Sequence, residues 1–94
     1  MNSESKPAVG PDVSLDPAFV MRLDAVILAC ASPEWCKVAV LISRVTDAAR
    51  AAGLEAPAQV IAARIYALAE TQRLDVQGNV RRWRAGEVRR VVVA

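Results

Sequence analysis

Apolar residues recur along this chain with two different periods. Phe19, Leu23, Val26, Ile27 and Cys30 fall at helical spacing after Asp16-Pro17. Asp16 suits a helix cap. Pro17 suits the first helical position, where its missing N–H costs nothing. A second helix is predicted from Ser32-Pro33-Glu34, a cap, a proline and an acid in the first turn. Its stripe is Trp35, Val38, Ala39, Ile42, Val45 and Ala49. It should run to about Ala52, with Gly53 as a left-handed stop. A third helix is predicted from Pro57 to about Gln72, burying Val60, Ile61, Ile65, Leu68 and Ala69. Its opposite face carries Gln59, Ala62, Ala63, Tyr66, Glu70 and Arg73.

After the third helix the period becomes two. Leu74-Asp75-Val76-Gln77 alternates like a strand with Leu74 and Val76 inward, and Gly78-Asn79 is a turn signal. Val88-Arg89-Arg90-Val91-Val92 returns as a partner strand. The intervening VRRWRAGE is too long for a tight hairpin and predicts an irregular turn around Ala85-Gly86. A lone hairpin is barely stable in water, so the ribbon must pack on the helices. The expected fold is α+β: a three-helix, winged-helix-like domain over residues 15–94 with a C-terminal two-stranded hairpin. Residues 1–14, rich in Ser, Pro and Gly, are expected to form a disordered tail. The second and third helices would form the helix-turn-helix, and residues 77–88 would be the wing.

Composition changes this picture little. The chain has 94 residues and a hydrophobic fraction of 54%, enough for one modest core. Aromatics are only 4%, so that core must be aliphatic. Charge adds more. The formal net charge is +2, but residues 81–90 hold five arginines against Glu87, while the rest is slightly acidic. Such asymmetry suits an anionic partner. No apolar run approaches the ~20 residues that span a membrane. The opening MNSESKPAVGPDVS lacks the apolar stretch of a secretory leader. The expectation is a cytoplasmic protein in which Cys30 and Cys36 are reduced and buried.

The stretch ASPEWCKVAVLISRV, followed by ARIYALAETQRLDVQGNVRRWRAGEVRRV, resembles a bacterial domain-of-unknown-function family, number 3658. The shared features are the P-x-W at Pro33–Trp35, the R-I-x-x-L run from Arg64 through Leu74 to Gly78, and W-R-x-x-E-V-R from Trp83 to Arg89. The resemblance covers roughly residues 23–91. It implies a small winged-helix-like fold in proteins where the domain stands alone or ends a longer chain. It implies no activity.

Two roles are open for the arginine ribbon. Arg81, Arg82, Arg84 and Arg89, with Trp83 stacking on a base, form a nucleic-acid contact in the first. In the second, Trp83 is core and the arginines solvate strand edges. A major-groove reader offers Arg, Lys, Asn or Gln along its recognition helix. The third helix instead offers a nearly neutral face, so Gln59, Ala63, Tyr66 and Arg73 are candidates for a protein partner. The valines of the last strand could likewise pair two copies at a sheet edge. Arg64 falls inside the apolar arc of its helix and is expected in a structural ion pair with Asp24, Glu70 or Glu87. Two thiols without a histidine do not make a zinc site, and no phosphate loop or nucleophile elbow occurs. The expectation is no metal, no cofactor and no catalysis. Weak DNA binding by a small regulator is set against a protein-interaction or dimerisation module.

Overall fold

The computed structural model describes residues 16–92; the tail expected over residues 1–14 and the final Val93-Ala94 lie outside them. Three helices and three short strands follow in the order α1 (Pro17–Cys30), β1 (Cys36–Lys37), α2 (Val38–Ala51), α3 (Ala58–Glu70), β2 (Leu74–Gln77) and β3 (Glu87–Arg90). The strands form one antiparallel sheet in the order β1-β3-β2. The arrangement is an α+β, winged-helix-like domain.

The helices begin and end for identifiable reasons. Asp16 accepts a hydrogen bond from the Ala18 N–H at 3.0 Å, so α1 starts at the aspartate-proline pair. α2 and α3 end alike. Gly53 sits at φ 78° and Gln72 at φ 63°. Beyond them the Leu54 N–H reaches the Ala49 carbonyl at 2.7 Å, and the Arg73 N–H reaches Leu68 at 2.9 Å. Both are Schellman stops, which satisfy carbonyls that the helix leaves unpaired. α3 therefore stops at Glu70, two residues before the predicted end, on a glutamine rather than a glycine.

α2 does not start at Pro33. Ser32 closes a local turn instead, its Oγ accepting from the Glu34 N–H at 3.3 Å. Cys36 and Lys37 are then drawn into the sheet, opposite Val88 and Glu87. The sequence pattern of a helix start is thus used for a turn, because β3 offers a hydrogen-bonding edge that two residues can satisfy. Trp35 lies before the helix, and the sheet has three strands where two were expected. The α2 face is correspondingly Val38, Leu41, Ile42, Val45 and Ala49. Ala39 is only half-buried, and Leu41, outside the expected stripe, is fully buried.

The core is aliphatic. Leu23 and Ile27 of α1 meet the α2 face, Ile61, Ala62, Ile65 and Leu68 of α3, and Leu74 and Val88 of the sheet. Ala62 is 2% exposed and belongs to this core, not to the outward face of α3 as expected. Val76 shares the inner face of β2 with Leu74 but remains 38% exposed. The strand outruns the cover that the helices provide.

β3 is the central strand, flanked on both sides. It cannot therefore offer the free edge expected of a C-terminal pairing strand. The strand ends at Arg90, and Val91 and Val92 follow outside it. The sheet edges belong to β1 and β2. On the outer face of the sheet, charges complement each other. Lys37 approaches Glu87 at 4.0 Å, Gln77 donates to Glu87, and Arg89 Nε donates to Asp75 at 3.1 Å. These are cross-strand neighbours in register, which is how a solvated sheet face is stabilised.

Candidate nucleic-acid interface

The loop between β2 and β3 is the wing, residues 78–86. Its path is held by short backbone hydrogen bonds. Asn79 accepts from the Arg81 N–H through Oδ1 at 3.1 Å and from the Arg82 N–H through its carbonyl at 2.9 Å. The Arg82 carbonyl accepts from both Ala85 and Gly86 at 2.8 Å. Two consecutive turns therefore replace a loose loop. The predicted irregular turn at Ala85-Gly86 is the second of them.

The wing is also tied to two helices. α2 has no side-chain cap, since Lys37 holds the cap position. Its first N–H groups are satisfied from the wing: Val38 donates to the Gly86 carbonyl at 3.0 Å and Ala39 to the Trp83 carbonyl at 2.9 Å. The Trp83 indole N–H donates to Tyr66 Oη of α3 at 2.8 Å. The Arg81 guanidinium lies 4.6 Å from the centre of the same Tyr66 ring, a cation–π contact. Trp83 packs half-buried against the core.

These contacts divide the ribbon arginines into three kinds. Arg89 points to the outer sheet face, between Asp75 and the Trp35 ring at 4.5 Å. It is paired and away from the wing, so the geometry does not bring it to the other four ribbon candidates. Arg81 is held on Tyr66. Arg82 and Arg84 are exposed and have no carboxylate partner among the described residues. They line, with Trp83 and Ala85, an open cleft of about 440 Å³.

Next to the wing lies the outward face of α3. Gln59, Ala63, Glu70 and Arg73 are exposed, and Tyr66 is half-buried under Arg81. Tyr66 is thus the junction between that face and the wing. Arg64 lies on neither. Its Nε and Nη2 donate to the two Asp24 carboxylate oxygens at 2.9 and 2.8 Å. This fork joins α3 to α1, and the hydrogen bond that Arg64 donates to Asp24 pushes the Arg64 pKa up. Of the three partners considered, Asp24 is the one in contact.

The thiols sit elsewhere. Cys30 and Cys36 are half-buried rather than buried, and Cys30 Sγ is 3.8 Å from the Arg44 carbonyl. Burial pushes both thiols up, against the opposing pull of Arg44. Among the described residues no three His, Cys, Asp or Glu side chains converge as a metal site, and no helix is long and apolar enough to cross a membrane. Two contributors had not been singled out in the sequence. Ala85 lines the cleft and Asn79 shapes the turn. The Gly78-Asn79 turn signal pointed to the second; nothing marked the first. Comparison of the chain with protein families, characterised proteins and solved structures yields no match.

Proposed function

We propose that this domain is a small nucleic-acid-binding module that contacts the sugar-phosphate backbone through its wing, with little dependence on sequence. The observation that carries the reading is the exposed, unpaired pair Arg82 and Arg84 on a loop locked to α2 and α3. Free cations on an ordered loop beside a recognition-helix position suit phosphate contact. The α3 face supports low specificity. It carries Ala63 and Tyr66 where a groove reader would carry donors and acceptors. We read the domain as a binding module and not an enzyme, acting in the cytoplasm with its thiols reduced. The resemblance to family 3658 belongs to the same reading and adds the expectation of an accessory module.

Fluorescence anisotropy with a labelled oligonucleotide over a range of salt tests this. Neutralising three phosphates with Arg81, Arg82 and Arg84 predicts a slope of log K against log salt of roughly −2 to −3. The double replacement Arg82→Ala/Arg84→Ala is expected to bring it to about −1. Absence of binding at low salt overturns the proposal. The neutral α3 face of Gln59, Ala63, Tyr66 and Arg73 then becomes the better candidate, as a protein-docking surface.

A further inference from the structure

We infer that the wing cleft takes an unpaired nucleobase, so that single-stranded nucleic acid is preferred over duplex; this rests on the nucleic-acid reading above and narrows it. The cleft of about 440 Å³ is lined by Arg82, Trp83, Arg84 and Ala85. It is broadly open to solvent, as a surface on which a base stacks must be. Of its lining groups, the indole is the one with a π-face to offer.

That indole is set in place before any ligand arrives. The indole N–H donates to Tyr66 Oη at 2.8 Å, and the Trp83 backbone carbonyl accepts from the Ala39 N–H at 2.9 Å. Little rotamer freedom remains to be lost on binding. The indole's one donor is already engaged, so it has no hydrogen bond left for reading a base edge. What it offers is stacking, which every base accepts. The other rings near arginines are covered. Arg81 lies over Tyr66 and Arg89 over Trp35. Trp83 has no guanidinium over it among the described residues.

The charges complete the site. Arg82 and Arg84 flank Trp83 in sequence and line the same cleft, placed for the phosphates on either side of a stacked base. In a duplex the base faces are hidden in the stack, and only phosphates are within reach. The cleft then adds nothing to the grip of the arginines.

The test uses the full chain carrying Trp35→Phe, which leaves Trp83 as the only indole. Oligothymidylate is expected to quench Trp83 emission and to bind on the order of tenfold more tightly than a duplex of equal length at the same salt. Ala85→Leu fills the cleft without changing charge. It is expected to abolish the single-strand advantage. Equal binding of both forms without quenching, or an advantage that survives Ala85→Leu, overturns the cleft and leaves wing–phosphate contact standing. Binding of neither form overturns both readings.

Discussion

Arg64 illustrates how far single residues can be read. Its position in the apolar arc of α3 required a partner, since an unpaired guanidinium is costly to desolvate. The pattern along one helix could not choose among three carboxylates. That choice depends on how α1 crosses α3, and the crossing places Asp24 against both nitrogens of the fork. The side chains of Arg64 and Asp24 are 29% and 14% exposed, so the pair is partly desolvated. Asp24→Ala should therefore cost about 1–2 kcal/mol, less than a fully buried pair because Arg64 can still reach water. Urea unfolding with an unchanged m value and a lowered midpoint is the expected result. Asp24→Leu combined with Arg64→Leu should recover much of the loss. An unshifted midpoint in Asp24→Ala would mean that the fork contributes nothing.

At the scale of elements, the wing and the start of α2 form one unit. The N-terminal N–H groups of α2 are satisfied by carbonyls of Trp83 and Gly86, far away in sequence. Gly86 is needed for this. A Cβ there would lie 2.5 Å from Val80 Cα and 2.6 Å from the Asn79 carbonyl oxygen, both backbone atoms that cannot swing aside. Gly86→Ala should force the turn apart, lose the cap on α2, and cost at least about 2 kcal/mol. Gly53 is the useful contrast. A Cβ there meets nothing within 4 Å, so Gly53→Ala carries only the penalty of positive φ, about 1 kcal/mol. Thermal unfolding of the two variants side by side separates steric from conformational cost. Equal losses would refute the assignment of Gly86 to a packing role.

For the whole molecule, folding and binding draw on different residues. Stability comes from the aliphatic core of three helices and the inner sheet face, with no polar or charged residue buried among the described residues. The proposed contact uses side chains that the core does not need. Arg82→Ala/Arg84→Ala should therefore shift stability by no more than about 0.5 kcal/mol while weakening nucleic-acid binding. Calorimetry beside the anisotropy titration checks this. A large drop in unfolding temperature would instead make these arginines structural. The outer sheet face completes the separation. There Arg89, Asp75, Lys37, Glu87 and Gln77 complement each other across the strands, so part of the basic ribbon solvates the sheet.

The sequence by itself determined three helices, a strand pair after them and an aliphatic interior. Each depends on periodicity and on local chemistry such as Asp16-Pro17 and Gly53, which act over a few residues. Tertiary structure decided what those signals could not reach. It drew Cys36 and Lys37 into a third strand and moved the start of α2 to Val38, because the β3 edge competed with a local helix cap. It buried Ala62, left Val76 exposed and placed β3 in the centre of the sheet. It also sorted Arg81, Arg82, Arg84 and Arg89, close in sequence and alike in charge, into paired, stacked and free. Which neighbour a flexible cation meets is set by the register of strands and the docking of a loop, and both are long-range.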